Sequence, residues 1–400
     1  MSSHNSHLVG QPRRVWFPAL LFVLALGGCG GGVDSGGTGA PRSASASGPV
    51  TGFGSVIVDG VHFDDSSASV TDGDGAVRTR NDLKLGMTTT INGSVLMMDA
   101  NGAQGTATSI QFDSAIVGPV DILNGGGNSL VVLGQTVDVR PSTIFENGLN
   151  GGLAALTRGD VIDVYALFDA LNNRYAATRI ERKSGVSAYR LRGIVGNLNT
   201  VTRTFTFGTQ RISYAGVPAS DVPTTLADGR FMRVQVQTAP TGGAWVATQL
   251  RDGVNRIENR NDARIEGLIS NFTSIAQFSV DGVSVDASHA SVTGSVALGL
   301  AVRVAVAGTA SNGVLVASTV KSKTDADVVN EGFVLNGSIS TIDTVGMNFV
   351  LRDVTVGYSG SVELRNGTIS DLAVGRRVNV KGEVSADGTG LQAVRIQFLP

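Results

Sequence analysis

From about residue 50 to the end, short runs alternate apolar and polar residues, and the alternation restarts five times. In Phe278-Ser279-Val280-Asp281-Gly282-Val283-Ser284-Val285, apolar residues fall at every second position on each side of an Asp-Gly pair. A period of two is that of a half-buried strand, and Asp-Gly supplies the positive φ values of a type I′ hairpin turn. Phe278, Val280, Val283 and Val285 are therefore expected on one face. The phrase recurs at Val56, Val58, Val61 and Phe63 around Asp59-Gly60. It recurs again at Phe349, Leu351, Val354 and Val356 around Arg352-Asp353, a poorer turn. Near Gly134 and Gly208 it fits only with a one-residue shift, which leaves the register there open.

Behind each hairpin stand two more landmarks. A strand carrying Ala-x-x-(Ile/Leu/Val) begins at Ala107, Ala177, Ala247, Ala317 and Ala393; the first three intervals are 70 residues and the last is 76. About 20 residues earlier a glycine opens a strand, at Gly86, Gly159, Gly229, Gly299 and Gly375, and a further glycine opens each module, at Gly52, Gly118, Gly193, Gly267 and Gly337. Three landmarks in the same order five times define a repeat. The Gly-led and Ala-led strands make a second hairpin, through Asn101-Gly102, Asn312-Gly313 or Asp387-Gly388 in three modules, Asn172-Asn173 in the second and Thr241-Gly242-Gly243 in the third. With the opening strand, that is five strands in about 70 residues, too few for a sandwich and suited to a small closed barrel without exposed edges.

The expected fold is thus all-β: five tandem, five-stranded, OB-like barrels arranged as beads over residues 49–114, 115–186, 187–260, 261–330 and 331–400. Each is small enough to be marginal alone, so packing against a neighbour would help.

The chain begins differently. Arg13 and Arg14 precede an apolar stretch, Val15 to Leu26, too short to span a bilayer and suited to the core of a secretory signal. It ends Leu26-Gly27-Gly28-Cys29, which resembles a bacterial lipobox; residues 1–28 then form a lipoprotein signal peptide, and Cys29, the only cysteine, is the lipidation site. No Asp follows Cys29, which favours the outer membrane. Residues 29–48 are Gly, Ser, Ala and Thr with almost no large apolar group, and read as a flexible tether.

Composition narrows the functional classes. A net charge of -2, more acidic once the leader's two arginines are gone, argues against nucleic acid, which is bound by clustered Lys and Arg. Aromatics are 6% of the chain. Trp245, Tyr214 and Tyr358 are the first candidates for ligand-contacting rings. Of four histidines, His4 and His7 leave with the leader; His62 and His289 lie in different modules, giving neither a zinc site nor a Ser-His-Asp arrangement. Asp72-Gly73-Asp74-Gly75, with Asp64 and Asp65 nearby, invites a calcium reading, but the remaining EF-hand ligands are missing, so an acidic turn is the plainer reading. Gly52-Phe53-Gly54 lacks the helix and Lys-Ser/Thr of a phosphate loop. Basic residues near the module junctions (Arg179, Arg182, Lys183; Arg251, Arg256, Arg260, Arg264; Lys321, Lys323) are mixed with acids and read as solvated connectors, the alternative being a groove for an anionic ligand. No catalytic residue, metal site or cofactor is assigned.

The stretch Gly52-Phe53-Gly54-Ser55-Val56-Ile57-Val58-Asp59-Gly60-Val61-His62-Phe63 resembles the opening of DUF5666, a bacterial domain family of unknown function. So do Asp82-Leu83-Lys84-Leu85-Gly86, Ile116-Val117-Gly118-Pro119-Val120 and Leu133-Gly134-Gln135-Thr136-Val137. The likeness is close over the first two modules and thinner afterwards. It implies tandem domains in an exported lipoprotein and transfers no activity. The expectation is a non-enzymatic cell-envelope lipoprotein, membrane-bound through its lipid, whose modules contact an envelope protein or a glycan or act as a spacer. The alternatives are a polysaccharide or matrix binder and a hydrolase with a site between modules, for instance around Asp286 and His289.

Overall fold

The computed structural model describes residues 42–99, 102–124, 126, 128–253, 257–297 and 303–400. The signal peptide, Leu26, Gly27, Gly28, Cys29 and the first part of the expected tether lie outside the described residues.

The strands fall into five successive groups. The first holds β1 (Arg42–Phe53), β2 (Val56–Val58), β3 (Val61–Asp64), β4 (Ser69–Asp72), β5 (Val77–Arg78), β6 (Thr88–Asp99) and β7 (Gly102–Phe112). In the second are β8 (Ile116–Asn124), β9 (Ser129–Val132), β10 (Gln135–Phe145), β11 (Val161–Asp169) and β12 (Arg174–Arg182). The third comprises β13 (Tyr189–Asn199), β14 (Thr204–Phe207), β15 (Gln210–Ser213), β16 (Phe231–Val236) and β17 (Trp245–Asp252). The fourth runs β18 (Arg260–Gly267), β19 (Ile269–Ser274), β20 (Gln277–Val280), β21 (Val283–Asp286), β22 (Ser291–Thr293), β23 (Arg303–Ser311) and β24 (Val314–Lys323), followed by the helix α1 (Asp325–Glu331). Last come β25 (Phe333–Ser338), β26 (Thr341–Asp343), β27 (Asn348–Leu351), β28 (Val354–Gly357), β29 (Glu363–Arg365), β30 (Arg377–Val384) and β31 (Leu391–Phe398).

Every group closes on itself in one order. In the first, β1 pairs antiparallel with β2, β2 with β3, β3 parallel with β7, β7 antiparallel with β6, and β6 with β1 again. The second and third rings are β8-β9-β10-β12-β11 and β13-β14-β15-β17-β16. In the fourth and fifth the opening strand is split in two, β18/β19 and β25/β26, with the same closure. Beyond the five expected strands, β4, β22 and β29 lie parallel beside β7, β24 and β31. The helix α1 was not expected either; its signal is the capping box Thr324-x-x-Asp327, whose Thr324 N–H and hydroxyl both donate to the Asp327 carboxylate.

The repeated landmarks acquire physical reasons. Gly86, Gly159, Gly229 and Gly375 all have φ between 80° and 93°, and each N–H donates at 2.8–2.9 Å to the opening strand, at Val50, Val120, Val195 and Ile339 respectively. The module-opening glycines keep ordinary φ but leave room for the hairpin: a Cβ on Gly118 would lie 2.4 Å from Leu133, and one on Gly193 2.9 Å from Phe207. At every Ala landmark the second hairpin carries a β-bulge, the unpaired residue being Thr108, Thr178, Thr248, Ser318 or Val394. In the first four, that residue's hydroxyl donates to the carbonyl across the strand, at Asn92 (3.0 Å), Tyr165 (3.1 Å), Gln235 (3.3 Å) and Ala307 (3.0 Å).

Hairpin registers agree where they were expected. Phe278 faces Val285 and Val280 faces Val283, with Asp281 and Gly282 at φ 49° and 83°. Arg352 and Asp353 adopt the same turn at φ 51° and 61°. The two open registers resolve with Leu133-Gly134 and Gly208-Thr209 in the turns, which places Gln135 and Gln210 where the other hairpins have valine. Glutamine is accommodated because these hairpins abut: Gln135 Nε2 donates to the Phe207 carbonyl at 3.4 Å, and Trp245 Nε1 to Gln210 Oε1 at 3.1 Å.

Two expectations need correction. The barrels are not separate beads, since Pro41–Pro400 is one compact unit. One hydrophobic core joins the first and fifth barrels with Ile144 and Tyr165 of the second; another joins the second and third; the fourth has its own. Burying barrel surface against barrel surface compensates for the small size of each core. The tether, too, ends earlier than residue 48. Arg42–Ser47 is already strand, paired antiparallel with β6 on one edge and parallel with β18 on the other, with Ala44 and Ala46 fully buried. Its Ala and Ser residues are small because the strand is flanked on both sides, a cause that composition alone conceals.

Candidate functional site

Charged side chains concentrate where the first three barrels meet. Asp72, at the end of β4, accepts from the Asp74 and Ala76 amides through Oδ1 and from Arg78 Nε and Nη2 through Oδ2. Burial works against its charge, but Arg78 and the two amides hold its pKa below the usual carboxylate value. Opposite stands the outer face of the third barrel, where strand alternation lines up Arg192, Arg233 and Arg251 on adjacent strands. Arg233 donates to the Gly73 carbonyl, Asp113 Oδ2 and Asp74 Oδ1, each at 2.8 Å. Arg190 adds a contact to Asp74 Oδ2 and another, at 2.7 Å, to Ser114 Oγ. Any Cβ on Gly73 would lie 2.1 Å from Asp113. These contacts favour the acidic turn over calcium at Asp72-Gly73-Asp74-Gly75: Asp72 is engaged by Arg78 of its own barrel and Asp74 by guanidinium groups arriving from the third. The reading of the junction basic residues as solvated connectors also needs correction, since Arg251 donates to the Gly73 carbonyl at 3.3 Å and Arg179 and Lys323 are buried in ion pairs. Burial depresses the pKa of Arg233, against the pull of Asp113 and Asp74.

The second barrel supplies the floor. Asp163 and Tyr165 on β11, Arg179 and Glu181 on β12 and Lys183 just after it point outward from it. Lys183 Nζ lies 3.1 Å from Asp163 and 3.9 Å from Glu181, and Arg179 Nε donates to Glu181 at 2.6 Å. Burial raises the pKa of Asp163 despite Lys183 and the Ser114 hydroxyl. Between these walls lies a cleft of about 590 Å³, roofed by residues 185–190. That is within the usual size range of small-molecule sites.

A second charged cluster joins the first and fourth barrels. Glu266, buried on β18, accepts from Arg303 at 3.1 Å and from Lys323 at 2.7 Å, while Lys323 also reaches Glu331 at 2.9 Å. Lys323 and Arg303 outweigh burial and hold the Glu266 pKa below its ordinary value. Asp59, in the first hairpin turn, is 4.0 Å from the same ammonium. Burial and the neighbouring Glu266 push its pKa up to about 7, against Lys323.

Two of the three rings singled out in the sequence, Tyr214 and Tyr358, do not offer stacking surfaces. Tyr214 is 4% exposed and packs on Phe205; Tyr358 is 6% exposed and packs on Phe349. Trp245 is half-buried against Tyr189. The apolar periodicity that marks the barrel interior claims these rings first. His62 is within hydrogen-bonding distance of Ser55 Oγ at 3.3 Å, on the outward face of β3. His289 is exposed beside Asp286, whose carboxylate is already engaged by the Ser288 amide and hydroxyl. Among the described residues, no group of three or more His, Cys, Asp or Glu side chains is arranged to hold a metal ion. Also among them, no helix is long and apolar enough to cross a membrane.

A family profile described as a domain of unknown function, DUF5666, matches residues 117–181 and 336–397. The matches fall on the second and fifth barrels; the first, where the resemblance was drawn from Gly52 to Phe63, lies outside them. No curated protein matches the chain. With two copies of that domain, each covering most of a closed barrel, the chain is a DUF5666 domain-containing protein.

Proposed function

We propose that the chain is a non-enzymatic cell-envelope lipoprotein, anchored through Cys29, whose OB-like barrels form a rigid body presenting a surface for protein or glycan contact. The order of the five ring strands, closed by a parallel pairing between the third and the last, supports the OB-like assignment. Fold alone does not assign function, so the reading rests on how the polar residues are spent. The observation that carries it is the use of buried charge at the barrel junctions: Arg233 of the third barrel with Asp74 and Asp113 of the first, and Arg303 of the fourth with Ser142 of the second, fix one barrel against another. Groups held in such pairs set orientation, as in a scaffold.

The test has two arms. Cells fed radiolabelled fatty acid should label the wild-type chain and not Cys29→Ser. In intact envelopes, cross-linking should capture a defined protein or glycan with the anchored chain. Absence of label in the wild type refutes the anchor, and capture of nothing by a correctly anchored chain refutes the contact role in favour of a spacer.

A further inference from the structure

The cleft between the first three barrels has a specific imbalance of unused hydrogen-bonding capacity. Most of its carboxylate oxygens are committed: Asp72 to Arg78, Asp74 to Arg190 and Arg233, Glu181 to Arg179, and Asp163 to Lys183 through Oδ2, its buried Oδ1 having no hydrogen-bond partner among the described residues. Asp82 accepts from both the amide and hydroxyl of Thr79. Two ammonium groups on the wall are not used up in this way. Lys84, its side chain 37% exposed, has among the described residues Asp353 as its ion-pair partner, at 3.9 Å, beyond hydrogen-bond range. Lys183, 42% exposed, makes one close contact, to Asp163, and each ammonium carries three donors. The cavity is also far larger than a simple inorganic anion requires, and Ser187, Gln235 and the backbone of residues 185–188 give it further polar lining.

We propose that this cleft binds an acidic saccharide, its carboxylate or phosphate group held by Lys84 and Lys183 and its hydroxyls by the polar wall. The inference deepens the proposed contact role and rests on it. Asp163 is a positioning residue here: it holds Lys183 toward the floor and competes with the ligand for that ammonium. The two lysines come from different barrels, so the site exists only in the assembled unit.

The experiment is titration calorimetry on the full mature chain with glucuronate and trigalacturonate, glucose serving as the neutral control and inorganic phosphate as the bare anion. Both acidic sugars should bind, at about millimolar affinity for the monosaccharide, and more weakly as salt is raised. Lys84→Ala should weaken binding about tenfold, while Asp163→Asn, by releasing Lys183, should strengthen it. Because Lys183→Ala strands a buried carboxylate and can unfold the chain, Lys183→Gln is paired with Asp163→Asn. Lost binding in that folded double variant supports the site, and retained binding overturns it. Phosphate binding as tightly as trigalacturonate overturns the saccharide assignment, glucose binding as tightly as glucuronate overturns the charge assignment, and binding by none of the probes overturns the site. Envelope capture that survives in Lys84→Ala while glucuronate binding is lost refutes this cleft as the contact point and leaves the broader function standing.

Discussion

Asp59 shows how one position can serve a turn and a junction at once. Its φ of 46° suits the I′ hairpin, and its carboxylate lies beside Lys323, which Glu266 and Glu331 approach more closely. The raised pKa has a definite sign. A carboxyl with an ordinary value of 3.8 and a folded value of about 7 leaves the folded state at full advantage only below the ordinary value. Stability is then lost as pH rises toward 7. Asparagine keeps the turn preference and cannot ionise. Asp59→Asn should therefore flatten the fall in melting temperature between about pH 4 and 7 and melt higher than wild type above that window; an unchanged pH profile would show that Asp59 is not the titrating group. Glu266 is the opposite case. Removing its charge strands Lys323 and Arg303 in the junction, so Glu266→Gln should lose roughly 3–5 kcal/mol in urea unfolding.

At the level of the strand and the turn, the sequence was most readable where structure is local. The I′ hairpins at Asp59-Gly60 and Asp281-Gly282 follow from period-two alternation and two turn residues, and both formed as expected. The Ala-x-x-(Ile/Leu/Val) phrase was visible, but its meaning was not: the bulge and the hydroxyl bond across it depend on a partner strand more than ten residues away. Val394 occupies the bulge of the fifth barrel without a hydroxyl, 41% exposed. Val394→Thr should restore the bond to the Lys381 carbonyl and raise stability by about 0.5–1.5 kcal/mol, whereas Thr178→Val should lose a similar amount or more. Chemical denaturation of both variants checks the pair, and a neutral Thr178→Val would mean the hydroxyl merely occupies space. The acidic turn at Asp72-Gly73-Asp74-Gly75 was legible as a turn, but its role in the junction was not, for the same reason of range. Asp72 is paired locally with Arg78, but the guanidinium partners of Asp74 lie more than a hundred residues further on, at Arg190 and Arg233, and local pattern carries no information about them.

For the whole molecule, periodicity foretold five all-β groups but not their fusion, because junctions are built from outward-facing polar positions that alternate like any solvent face. Shared cores predict shared fate. In urea, Trp245 fluorescence, which senses the third barrel, should change together with far-UV circular dichroism of the entire mature chain. Two separated transitions would mean the barrels unfold as independent units. The outer edges of β1 give the fusion a direction in time. Its front half meets Asp262–Ile265 and its back half meets Val334–Leu335, so the segment that leaves the ribosome early waits for partners made more than two hundred residues later. Until they arrive, a strand edge stands open to any other copy of the polypeptide. Products truncated after the third barrel should accordingly self-associate edge to edge, and nascent chains should depend on a chaperone shielding that border until synthesis is complete.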